Sequence, residues 1–164
     1  MIPQRVHNFG TYFVSTQTWQ RRNLFRTDEL AQLLIDTVVG YRDRGRFLLH
    51  EFVIMPNHLH LLITPSGITL ERAMQFIKGG YSHVVTETGR KSLEVWQKGF
   101  ADHRIRDAED YERHRGYIHD NPVQAGLCTN RTEYRWSSAS GTWTLDDVPQ
   151  RLKPTESFVG ERHG

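Results

Sequence analysis

Two histidines spaced two apart are the first residues whose types and spacing suit chemistry. They are His58 and His60, in Pro56-Asn57-His58-Leu59-His60-Leu61-Leu62-Ile63. In an extended strand successive side chains turn to opposite faces, so both imidazoles share one face while Leu59 and Leu61 share the other. Two residues of strand rise separate their Cα atoms by about 6.5–7 Å. Two rings so placed can converge on one cation, each with one nitrogen free and the other held by an orienting partner. The same pattern also describes a strand that carries histidines only as its half-polar face.

A second pair stands further along. Tyr117 and Asn121 are four apart, and helix neighbours at that spacing project from one face. Arg113 precedes Tyr117 on the same row, with His114 beside it. Two imidazoles and a carboxamide oxygen make a three-ligand site with open positions, which Lewis-acid catalysis requires. A phenol can serve as a nucleophile that forms a covalent intermediate. Taken singly, Tyr117 also reads as a packing aromatic, and Asn121 before Pro122 as a turn signal. Among the other tyrosines, Tyr81 and Tyr111 fall on packing rows, and Tyr134 lies beyond the helix.

The elements that must position these groups follow from periodicity. Gly10 to Gln17 alternates β-branched and aromatic residues, a first strand. Thr27 is a candidate N-cap for a helix over 28–44, with Leu30, Leu34 and Val38 on its apolar stripe and Gly45 after it. Phe47 to Met55 and His58 to Thr64 form two strands joined so tightly that they must pair as a hairpin. Thr69 caps a second helix that carries an unexplained Gly79-Gly80 pair and ends at Gly89. Val95 to Arg106 reads as a broken fourth strand, with Gly99 at a bulge. Asp107 caps a third helix, 108–121, which Pro122 should stop. Residues 1–9 read as an irregular entry.

The order βαββαβ is the ferredoxin-like arrangement, an α+β fold with an antiparallel sheet in order 4-1-3-2. Helices one and two should cover one face. The extra C-terminal helix carrying Tyr117 should lie on the other, beside His58 and His60. Residues 1–140 read as one domain and 141–164 as a peripheral or poorly ordered tail.

The 164 residues suit one core, and 37% hydrophobic with 24% charged residues is ordinary for a soluble protein. No apolar run approaches a membrane span and no signal-like segment is visible, so the expected setting is cytoplasmic, without a membrane partner. The single cysteine, Cys128, excludes an intrachain disulfide and a thiolate zinc site. Net charge is only +2, but arginine far outnumbers lysine among the 21 basic residues, and its fork suits phosphate. Arg21, Arg22, Lys78, Lys98, Arg104, Arg106, Arg113 and Arg115 are the candidate phosphate contacts, each equally readable as solvated surface. Trp96 and Trp136 could stack on unpaired bases or pack in the core.

Four blocks in this order resemble the single-tyrosine HUH transposases, and among them the REP-associated tyrosine transposases, relatives of the small insertion-sequence transposases. The blocks are Met55 to Leu62, Trp96-Gln97-Lys98-Gly99-Phe100, Tyr117 to Leu127 (YIHDNPVQAGL) and Tyr134-Arg135-Trp136-Ser137-Ser138. The resemblance covers about residues 10–140. It implies that His58 and His60 bind a divalent metal, magnesium or manganese. It implies that Tyr117 attacks a DNA phosphodiester, leaving a 5′-phosphotyrosine and a free 3′-hydroxyl. Asn121 matches the position of the third ligand, where related enzymes often carry glutamine. The implied substrate is single-stranded DNA next to a palindromic hairpin. Insertion-sequence relatives exchange the tyrosine helix within a homodimer, whereas the REP-associated branch resembles monomers acting in cis. Imidazole ligands suit manganese better than magnesium, which prefers oxygen.

The rival reading is a non-catalytic single-stranded nucleic-acid-binding module of ferredoxin-like fold. Such a module should display aromatic residues on its middle strands, where this chain has histidines. A metal-dependent hydrolase of small substrates would have no need of Tyr117.

Overall fold

A computed structural model of the chain describes residues 10–90 and 93–153; the entry expected at 1–9 lies outside them. The elements are β1 (Tyr12–Gln17), α1 (Asp28–Asp43), β2 (Phe47–Met55), β3 (His58–Pro65), α2 (Leu70–Glu87), β4 (Ala101–Arg104) and α3 (Ala108–Gln124), with short 3-10 turns between and after them. The sheet order is β2-β3-β1-β4 and every pairing is antiparallel. This is the ferredoxin-like order expected from the sequence, with α3 as the added helix. Among the described residues no helix is long and apolar enough to cross a membrane.

The two sheet faces bury different partners. Tyr12, Val14, Phe52, Ile54, Leu59, Leu61 and Ile63 pack with Leu34 and Val38 of α1 and Met74, Ile77 and Tyr81 of α2. On the opposite face Val53, Met55 and Leu62 meet Tyr111 and Ile118 of α3. A β-bulge between Leu49 and Glu51 resets the alternation of β2. Leu49 and Phe52 therefore both reach the larger core, while Glu51 bonds α3 on the other side.

Capping divides as local chemistry dictates. The side chains of Thr69 and Asp107 accept the backbone N–H of Arg72 and Asp110. Thr27 sits at the N-cap of α1 without such a bond, and Asp28 and Glu29 alone complement that helix end. Gly80 has a packing reason: a Cβ there would lie 2.5 Å from Tyr41 Oη, whereas one on Gly79 would meet open space.

Two expectations are revised. The fourth strand is only four residues long; Gly99 at φ +80 breaks it, and Trp96 keeps just an isolated bridge to Thr18. Pro122 does not stop α3, which continues to Gln124. A proline this close to the C-terminus removes one N–H, and the next turn closes regardless through Ala125 N–H to the Asn121 carbonyl. Of the tail expected at 141–164, residues 154–164 lie outside the described residues, and the described stretch makes specific contacts. Asp146 accepts from Arg42 at 2.9 and 3.1 Å and from the Leu49 N–H at 2.8 Å, and Leu152 is buried under α3.

Candidate active site

β3 is an inner strand between β2 and β1, with His60 opposite Ser15 of β1 and Val53 of β2. Its alternation turns His58 and His60 to the α3 face. Their ring centroids are 4.7 Å apart. His58 Nδ1 donates to Asn57 Oδ1 at 2.7 Å, which leaves Nε2 as an acceptor. His60 Nδ1 bonds Ser15 Oγ at 2.6 Å, and its Nε2 is buried with no hydrogen-bond partner.

Burial of His60, which is 6% exposed, pushes its pKa down to about 3, and the nearby His58 adds to the shift. Burial lowers His58 as well, and the positive charge of Arg21 lowers it further. Both rings are thus held neutral at pH 7, the state in which imidazole binds metals. An orphaned buried nitrogen beside a second free one, each ring oriented through its other nitrogen, fits a divalent cation. Asn121 stands one helical turn past Tyr117 on the part of α3 that runs through Pro122.

Tyr117 meets His60 from above. Its ring lies edge-on to His60, centroids 5.4 Å apart, and edge-on to Phe13 at 5.8 Å. Phe13 is the shared floor, stacked on His60 at 5.3 Å and tilted against His114 at 4.9 Å. Tyr117 is 52% exposed. The competing tyrosines are occupied elsewhere: Tyr81 donates to the Leu30 carbonyl, Tyr134 to the Ile54 carbonyl, and Tyr111, on α3 itself, is buried against the sheet.

A buried ionic network fixes α3 on the sheet. Glu51 Oε2 accepts from His119 at 2.8 Å and from Ser138, and its Oε1 accepts from Arg115 at 3.1 Å. Burial alone would raise the Glu51 carboxyl pKa, but the bonds from His119 and Ser138 bring it below its ordinary value. At the other end of the helix, His103, Asp110 and His114 offer ligand atoms within 4.8 Å of one another, a spacing compatible with a cation. Each is partly engaged, although Asp110 Oδ1 is buried without a hydrogen-bond partner. His103 Nε2 donates to Asp110 Oδ2 at 2.8 Å, His114 Nδ1 to the Asp110 carbonyl at 2.8 Å, and the Arg106 and Arg113 guanidiniums stand 3.7 and 3.6 Å from the same carboxylate.

The candidate cations scatter. Arg21 stands near enough to His58 to depress its pKa. Arg22 is tied to the Glu94 carbonyl at 2.6 Å, Lys78 to the carbonyls of Gln97 and Gly99, and Arg115 to Glu51. Arg104 pairs with Tyr12 on β1, so alternation turns it to the face away from the histidines. Arg106 and Arg113 flank Asp110, and Lys98 is exposed before β4. Trp96 and Trp136 are buried in the core. Sequence reasoning missed Phe13 and Ser15, although both follow from strand alternation once β1 is placed beside β3. It also missed Glu51, whose orientation depends on the bulge.

Comparisons with known proteins bear on the family and the fold. A family model described as transposase IS200 like matches residues 9–121. A REP-associated tyrosine transposase of Escherichia coli (strain K12) is 29% identical over 163 residues, covering 93% of this chain and 92% of that protein. A solved REP-associated tyrosine transposase bound to a REP hairpin has the same fold, with a TM-score of 0.71 at 23% identity, covering 95% of this chain and 94% of that one.

Proposed function

The chain belongs to the IS200-like transposase family, and on that premise we propose that it cuts and rejoins single-stranded DNA beside a hairpin through a covalent bond to Tyr117. The observation that carries this reading is the edge-on approach of the Tyr117 ring to His60, at 5.4 Å, above an imidazole with an unbonded buried nitrogen. The hairpin carried by the solved relative supports the substrate class.

His58 and His60, with Asn121 as third ligand, would hold a divalent cation, manganese or magnesium. When bound, such an ion supplies charge neutralisation at a phosphate oxygen. The protein's own residues do the rest. Ser15 and Asn57 fix the two rings through their Nδ1 atoms. Phe13 gives the phenol a firm floor. Tyr117 Oη attacks phosphorus in line, an O–P bond forms, and the bond from phosphorus to the 3′ oxygen breaks. The phenol gives up its proton and the departing 3′ oxygen takes one up. The products are a 5′-phosphotyrosine and a free 3′-hydroxyl, and reversal onto another 3′-hydroxyl rejoins a strand. Tyr117 lies against His60 of its own chain, which supports action in cis.

The test is incubation with end-labelled single-stranded hairpin DNAs and manganese, followed by a denaturing gel. A labelled protein–DNA adduct is expected only with a cuttable flank. Binding of these DNAs without any adduct at any flank would favour a non-catalytic binding module.

A further inference from the structure

The loop after β1 carries a feature that the cutting reaction does not use. Gln17 lies opposite His58, so the chain leaves β1 beside the metal-binding candidates. Thr18 then locks the exit: its N–H and its Oγ1 both reach the carbonyl of Asn57, the residue whose side chain orients His58. Beyond it Gln20 and Arg21 both hold left-handed backbone, at φ 53 and φ 52, and neither is glycine. Such strain costs about 1–3 kcal/mol per residue and persists only where surroundings enforce it.

The surroundings here are specific. Trp19 N–H donates to the Val95 carbonyl at 2.8 Å, Arg22 grips the Glu94 carbonyl, and Thr18 Oγ1 donates to the Arg22 carbonyl at 2.7 Å. A loop held this firmly presents its side chains without paying ordering entropy on binding. Those side chains are an exposed tryptophan, 37% accessible, and the exposed Arg21, on a loop whose root is bonded to the carbonyl of the residue before His58. Among the described residues the exposed large aromatics are Trp19 and Tyr117; Tyr117 lies against His60, and Trp19 follows by two residues the strand end that pairs with His58.

We infer that Trp19 is a stacking platform for one unpaired base of the DNA flank at the His58 side of the site, with Arg21 on a neighbouring phosphate. Indole offers every base a π-face, and the guanidinium forks onto phosphate. The inference rests on the DNA-cutting reading for its ligand, but its test does not depend on cutting.

The test is fluorescence anisotropy with a labelled single-stranded 20-mer, with single abasic sites scanned along it. Trp19→Ala should weaken binding about 5- to 100-fold without changing the salt slope, and Trp19→Phe should retain most of the affinity. Arg21→Gln should flatten the log–log salt slope by about 0.7. One abasic position should reproduce the Trp19→Ala loss and add nothing to it. Unchanged affinity in Trp19→Ala, or full additivity at every abasic position, overturns the platform. Wild-type protein that shows this coupling yet forms no adduct would leave the platform standing and remove the cutting reaction instead.

Discussion

The ring of Tyr117 stands edge-on to the ring of His60 at 5.4 Å, although one comes from the third helix and the other from an inner strand. Phe13 packs against both and keeps the phenol over His60. Tyr117→Phe keeps that packing and removes only the oxygen. Covalent capture of single-stranded DNA is expected to fall by about a thousandfold or more while binding and thermal stability stay near wild type. A Tyr117→Phe protein that still forms a denaturant-stable adduct would reject this nucleophile.

Ser15 acts through His60. Its hydroxyl holds Nδ1 at 2.6 Å and thereby aims Nε2. Ser15→Ala should weaken manganese binding roughly 10- to 100-fold, the usual cost of losing an orienting partner. Calorimetric titration of wild type, Ser15→Ala and His60→Ala measures it; equal affinities in all three would remove the metal assignment.

The metal-free protein should lose stability as pH falls. His60 is shifted from 6.5 to about 3 by burial and by His58. Between those values the unfolded chain binds a proton that the folded chain refuses, so unfolding becomes easier with acid. One such group contributes up to about 1.4 kcal/mol per pH unit across that window. The lowered pKa of buried His50 adds in the same sense. Thermal melts in chelator from pH 7.5 to 4.5 should show the decline, and His60→Gln should flatten it.

Glu51→Ala strips His119, Arg115 and Ser138 of a shared acceptor in a mostly buried setting. Removing one partner of such a network costs about 3 kcal/mol or more. Denaturant unfolding reads that loss. Adduct formation should slow as well, because the same network seats the helix that carries Tyr117.

The two adjacent glycines of α2 should respond in opposite directions. Gly79→Ala meets open space and should gain about 0.5–1 kcal/mol from helix propensity. Gly80→Ala would press on the rigid Tyr41 ring, itself packed on Phe76, and should lose about 1 kcal/mol net. Equal shifts in the two midpoints would show that Tyr41 yields freely.

By itself the sequence determined the order of elements, the antiparallel sheet and the face on which His58 and His60 meet. Those follow from period-2 and period-3.6 patterning, which is local and repeats along each segment. It also marked Tyr117 and Asn121 as helix neighbours. Only the tertiary structure decided which aromatics are buried and which exposed: Trp96 and Trp136 went to the core and Trp19 to the surface. Only it separated Arg21, near His58, from Arg104 on the far face and Arg115 bound to Glu51. It alone carried α3 through Pro122 and docked Asp146 against Arg42. The reason is the same in each case. Burial and ion pairing are set by whatever packs across from a residue, and here that partner comes from a distant part of the chain or from a one-residue bulge that no short-range period reveals.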